Sequence, residues 1–287
     1  MNVARHPLTV FVVLAYALSW WVLPLRVSGF PVFPYGPDFA AVAVLGLTAG
    51  RPGIRSVILR LRTWRVPLRW IALAVGLPAG IALAAVAALR LVGGSPTPMP
   101  GPASLLEFVM VLPLMVLIGG ALGEELGWRG FALPMLQQRH RPLVAVGILT
   151  AIHLVWHLPL FFTGDPPLLV PFAIELTGGG LVLAWMANRN YSLWPVILTH
   201  GAHNMAQQAF MSGLSATDLV TIQWLTAAGW LIAGAVVVVV TRGRLGALWT
   251  GRPGRGRVLE CHDSELSSCR PCSSPAPQSR APRTPRV

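Results

Sequence analysis

The sequence has no lysine, ten acidic residues and three cysteines in 287 positions. Charged residues make up 11% of the chain, where an ordinary soluble domain carries about 25%. So little charge, beside 54% hydrophobic residues and a mean hydropathy of +0.63, excludes a soluble globular enzyme and a disordered protein. All three cysteines, Cys261, Cys269 and Cys272, lie near the C-terminus. No disulfide framework can therefore hold the preceding chain together. Every one of the 22 basic residues is arginine, which carries no functional weight by itself. The net charge of +12 invites a nucleic-acid partner. The arginines, however, fall between long apolar runs, which is the pattern of an integral membrane protein with no nucleic-acid partner.

A spanning helix needs about 20 mostly apolar residues. The chain predicts an all-α, polytopic membrane bundle of about eight transmembrane helices. They cover roughly Leu8–Val27, Asp38–Gly50, Trp70–Val92, Leu105–Leu122 and beyond, Leu143–Phe162, Leu168–Ala187, Leu193–Met211 and Leu219–Thr241. Arginines mark alternate loops. Arg5 precedes the first span, six arginines from Arg51 to Arg69 follow the second, Arg139 and Arg141 follow the fourth, and Arg189 follows the sixth. The remaining loops are free of arginine, with only Arg26 and Arg90 near their edges. The positive-inside rule then predicts an N-in, C-in topology, a multi-pass protein of the plasma membrane facing lipid along its flanks. Arg5, the run Leu8–Leu14 and Ala15-Tyr16-Ala17 resemble a signal peptide. The apolar run continues through Trp20, Trp21 and Leu25, so an uncleaved first helix is expected. Ile54, Val57, Ile58, Leu61 and Trp64 recur at helical spacing among arginines, which reads as a basic amphipathic helix on the cytoplasmic leaflet or as a topogenic loop. Residues 1–245 form the transmembrane domain, with a motif-bearing core at about 105–212. Residues 246–287, rich in Arg, Pro and Ser, are expected to be a disordered cytoplasmic tail. Its lone C-x-x-C, beside Cys261-His262, reads as free thiols rather than a zinc site.

Ionisable residues inside spans are costly and point to function. Here they are Glu107, Glu124, Glu125 and Arg129 in span four, His153 and His157 in span five, Glu175 in span six, and His200 and His203 in span seven, beside Asn204. Glu125 and Arg129, His153 and His157, and His200 and Asn204 each stand at i, i+4 and share a helix face. At about 1.5 Å per residue, Glu124 and His157 lie roughly 22 Å from the adjacent cytoplasmic turns, and His200 and Asn204 roughly 15–20 Å. The groups can therefore meet at one level. A carboxylate there can act as general base toward water. Imidazole and amide can donate to a tetrahedral oxyanion, or two His and a Glu can hold zinc. Interhelical hydrogen bonding alone is the plainer alternative.

Three strings carry a resemblance. Gly123-Glu124-Glu125-Leu126-Gly127-Trp128-Arg129-Gly130 contains E-E-x-x-x-R, Trp156-His157-Leu158-Pro159-Leu160-Phe161-Phe162 follows, and His200 and Asn204 give H-x-x-x-N. Their order and span placement resemble the CPBP family, the type II CAAX prenyl endopeptidases and the abortive-infection or bacteriocin-immunity relatives. Tyr35-Gly36-Pro37 before a small-residue span is similar to the bacterial branch, and the resemblance runs from about Pro31 to Gln208. It implies that Glu124 activates the attacking water and that Glu125 and Arg129 fix and polarise the site. It also implies that His157 holds the water or a metal, and that His200 and Asn204 are metal-site ligands or oxyanion donors. Metal-dependent and metal-free glutamate mechanisms both stand. If zinc binds, Glu124, His157 and His200 are the expected ligands, with His153 a lesser candidate. His153 occupies a position that is usually aromatic in the family. His203 points about 100° away from His200 and is left outside the core site. Glu107 and Glu175 are read as interhelical or cavity-lining groups.

The function expected is intramembrane hydrolysis of peptide bonds in membrane-associated or lipidated protein substrates. The alternatives are a non-enzymatic scaffold or bacteriocin-immunity-type protein using the same cavity, and a transporter. A scaffold has no chemical need for all three motifs. A transporter would be expected to show inverted repeats, and no clear repeat is found.

Overall fold

The computed structural model describes residues 3–25, 32–95, 102–162, 166–211 and 213–247, with the backbone alone for 102–109. The Glu107 side chain, Arg26, the three cysteines, His262 and the C-terminal tail lie outside the described residues.

Ten α-helices account for most of the described chain. They are α1 (Pro7–Trp20), α2 (Gly36–Arg62), α3 (Leu68–Leu91), α4 (Pro102–Ile118), α5 (Ala121–Glu125), α6 (Leu133–Gln137), α7 (Pro142–Trp156), α8 (Leu169–Arg189), α9 (Trp194–Met211) and α10 (Ala216–Val240). A π-helical stretch, Leu126–Ala132, joins α5 to α6. Among the described residues there is no strand, and the protein is a helical membrane bundle. An apolar helix suits the bilayer because it satisfies its own backbone groups.

Among the described residues six helices are long and apolar enough to cross a membrane, or seven if the bent pair Met110–Ile118 and Ala121–Gln137 counts as one span. The expected span Leu193–Met211 is helical as α9 but is not among them. It carries His200, His203, Asn204, Gln207 and Gln208, whose polarity lowers its hydropathy. Two further expectations change in form. The short second span is the first part of the 27-residue α2, which continues past a break at Gly50 (φ 61°, ψ −153°) into the predicted amphipathic segment. There Val57 is buried, while Arg55 is exposed. The fourth span is interrupted after Ile118 and bends by 43°.

Packing brings distant segments together. The helix α10 runs along α8, α1 along α2, and α3 along α9. The core includes Phe11, Val44, Trp128, Leu133, Trp156, Met186 and Ile197, whereas large apolar residues such as Leu47, Leu91, Val239 and Val240 stay exposed. Exposed aliphatic flanks are ordinary where the surrounding solvent is hydrocarbon. Specific hydrogen bonds then fix the helices where apolar burial gives no direction. The Tyr16 hydroxyl donates to the Ile152 carbonyl (2.6 Å), and Trp20 Nε1 donates to the Trp156 carbonyl (3.0 Å), tying α1 to the last turn of α7. At the far end of α2, Arg60 Nε donates to the Tyr191 carbonyl (3.0 Å) and Trp194 Nε1 donates to the Leu61 carbonyl (2.7 Å).

Candidate active site

The site begins with an interruption. Gly119 and Gly120 end α4, and Gly120 adopts φ +100°, which an L side chain rarely takes. A Cβ at Gly120 would also lie 2.5 Å from Glu124 Oε1. The chain restarts as α5, so Glu124 and Glu125 fall at its end. It then widens into π-helix over Leu126–Ala132, a form concentrated at functional sites. All seven residues of this stretch are buried.

The start of α2 supports the widened turn. Gly127 lies so close to Pro37 that a Cβ would sit 2.6 Å from its backbone carbon and oxygen. Its N–H donates to Asp38 Oδ1 at 2.9 Å. A buried backbone donor needs such a partner, and here a side chain of another helix supplies it. The Trp128 ring is wedged between Phe11 (centroids 5.4 Å apart, edge-on) and His153 (5.0 Å).

The two adjacent glutamates go to different partners. Glu125 is fully buried, and its Oε1 accepts from Arg129 Nη1 at 2.8 Å. The same oxygen lies 2.8 Å from His200 Nδ1. A carboxylate accepts, so Nδ1 carries the proton and Nε2 is the remaining nitrogen of His200. Glu125 Oε2 and Arg129 Nε are buried without a partner, the kind of orphaned polar atom that a bound water or substrate satisfies.

Glu124 turns the other way. Its Oε2 lies 3.0 Å from His153 Nε2. One helical turn on, His157 Nδ1 donates to the His153 carbonyl at 3.0 Å, which fixes its tautomer and leaves Nε2 for the site. One ligand atom from each of Glu124, His153 and His157 lies within 4.8 Å of the others. A carboxylate and two imidazoles, one of them oriented by a backbone carbonyl, suit zinc with an open position for water.

These groups, apart from Glu124, which is not on its wall, border a cavity of about 90 Å³, large enough for several waters. It is lined by Glu125, Arg129, His153, His157, His200 and Asn204, and on its other side by Glu175, His203, Phe172 and Trp230. Glu124, Glu125, Arg129, His153, His157, His200 and Asn204 thus gather in one region, from α5, the π-helical stretch, α7 and α9. Within it, His200 sits on Glu125, while His153 and His157 sit by Glu124. Asn204 Nδ2 donates to the Gly119 carbonyl at 2.8 Å, bracing α9 against the interruption before α5.

Sequence reasoning passed over Asp38, which reads as an acidic residue in a helix's first turn. It set His203 aside because helical geometry turns it from His200. The structure places His203 on the same cavity, paired with Glu175 at 2.7 Å. The available signal was that a glutamate in one span and a histidine in the next each lacked a motif partner.

Residues 106–206 match the family described as type II CAAX prenyl endopeptidase Rce1-like. A CAAX prenyl protease 2 of Methanococcus maripaludis is 30% identical over 113 residues, covering 36% of this chain and 41% of that protein. The match therefore spans less than half of the relative's length. The matched segment holds the interrupted helix, both glutamates and the histidines at positions 153, 157 and 200, so over residues 106–206 the chain is similar to the Rce1-like, type II CAAX prenyl endopeptidases.

Proposed function

We propose that the protein is an intramembrane endopeptidase that hydrolyses a peptide bond in a membrane-associated or lipidated protein. One observation carries this reading. Two neighbouring glutamates are held in different environments, Glu125 by Arg129 and His200 on the wall of a cavity, Glu124 by His153, which lines that cavity together with His157. In this reading Glu124 takes a proton from water, and the oxygen attacks the substrate carbonyl. The carbonyl π pair moves onto its oxygen, next to Arg129, whose Nε is left without a partner. Collapse breaks the C–N bond, and the proton held by Glu124 passes to the leaving amine. Glu125 acts through Arg129 and His200 as a positioning residue. If zinc is bound, Glu124, His153 and His157 would hold it, and it would supply Lewis-acid polarisation and a more acidic water. This ligand set differs from the expected one by having His153 in place of His200. The N-in, C-in orientation and the plasma membrane belong to the same proposal, and they rest on the arginine distribution.

The test is cleavage of internally quenched, membrane-anchored peptides by detergent-purified protein. Glu124→Gln and His157→Ala should each lower kcat/KM by at least about 100-fold, the usual scale for a lost acid–base group. If both variants cleave at the wild-type rate, the assignment is wrong.

A further inference from the structure

Across the cavity from Glu125 stands a polar group that this mechanism does not use. Glu175 on α8 lines the cavity and is 8% exposed. Its Oε1 accepts from Gln207 Nε2 at 2.7 Å and pairs with His203 Nε2 at 2.7 Å. The two nitrogens are themselves 2.8 Å apart, two donors sharing one acceptor oxygen. On the other side of the imidazole, Trp230 Nε1 lies 3.2 Å from His203 Nδ1.

The indole decides the charge of this cluster. Trp Nε1–H can only donate, so the Nδ1 it faces carries no proton. The proton of His203 is then on Nε2, directed at Glu175, and the imidazole is neutral. Gln207 is neutral as well. The cation nearest in the cavity wall, Arg129, is already engaged with Glu125. The Glu175 carboxylate on α8 is thus given hydrogen bonds from α9, with Trp230 of α10 on the far side of His203, but among the described residues lining the cavity no cation is left to answer it. An interhelical clasp has no need of a charge, because an amide in place of Glu175 would join the same helices. In the same cavity, Phe172, Leu176 and Trp230 give apolar and aromatic walls. Walls of this kind accept the methylene stem and cationic head of a basic side chain.

We propose that Glu175 makes this half of the cavity a specificity subsite for a lysine or arginine side chain of the substrate peptide, placed close in sequence to the scissile bond. The proposal deepens the endopeptidase reading by naming what the cavity selects, and it can be tested without turnover. His203, Gln207 and Trp230 act as positioning residues, since they set the carboxylate and have no free group of their own in this arrangement.

The experiment measures binding to full-length Glu124→Gln protein in detergent, so that cleavage does not interfere. The probes are fluorescent, N-acetylated apolar peptides that carry one lysine, one arginine or the uncharged isostere norleucine at each successive position. At one register the lysine or arginine peptide should bind at least about 30-fold more tightly than its norleucine twin, the scale of a buried charge pair deprived of one partner. Adding Glu175→Gln should abolish that difference and leave norleucine-peptide binding unchanged. Equal binding of the basic and norleucine peptides at every register overturns the proposal without any Glu175 variant. So does a preference that survives Glu175→Gln. Cleavage by the wild-type protein reports separately on the endopeptidase reading.

Discussion

Glu125 and Arg129 form an ion pair at 2.8 Å with side-chain exposures of 0% and 3%. Removing either partner strands the other charge away from water. Breaking a buried pair in this way costs about 3–5 kcal/mol, whereas replacing both partners with apolar groups of similar volume is often neutral. Glu125→Met and Arg129→Met should therefore each destabilise by about 3–5 kcal/mol. At about 2–4 °C per kcal/mol for a chain of this size, that lowers Tm by roughly 6–20 °C. The double variant leaves no stranded charge, but His200 loses the acceptor of its Nδ1–H. One unsatisfied donor costs about 1–3 kcal/mol, so the double variant should melt roughly 2–12 °C below wild type and above at least one of the singles. The assay is thermal unfolding of the four proteins in one detergent, followed by intrinsic tryptophan fluorescence. Peptide cleavage should be absent in all three variants. Additive Tm losses in the double variant would refute the reasoning, because they would mean that the two side chains contribute independently.

Two other outcomes follow from the same geometry. Gly127→Ala pushes a methyl into the Pro37 backbone, and Asp38→Leu removes the acceptor of the Gly127 N–H. Each should cost about 1–3 kcal/mol in unfolding assays, whereas Asp38→Asn, which keeps an acceptor oxygen, should cost much less. If zinc serves the site, chelation should abolish cleavage and zinc should restore it, and His153→Phe protein should retain less metal by elemental analysis. Full activity of zinc-free protein would exclude that ligand set.

The i, i+4 pairs were legible because helical periodicity is a local property. Glu125 meets Arg129, and His153 stands one turn from His157, much as spacing alone requires. The division of labour between Glu124 and Glu125 was not legible. It depends on the interruption at Gly119-Gly120 and on the π-helical stretch, which together set the direction of each carboxylate. Gly-Gly in an apolar run is a recognisable breaker, but the sequence does not say how far the helix turns afterwards. The full length of α2 was hidden by Gly50, Arg51 and Pro52, which read as a loop although the helix resumes across them. Asp38 and Glu175 were visible as residues and silent as partners, since their contacts come from helices far away in the chain.

The bonds from Tyr16 and Trp20 to α7 reach across 136 positions. During synthesis at about 5–20 residues per second, the first helix would wait roughly 7–27 s for those partners to be made. Until then its donors have no α7 carbonyl to meet, and Trp128 and the His153–His157 turn lack the wall that Phe11, Tyr16 and Trp20 provide. The wall around Trp128 and the His153–His157 turn is thus completed only after α7 has been made, late relative to the synthesis of α1.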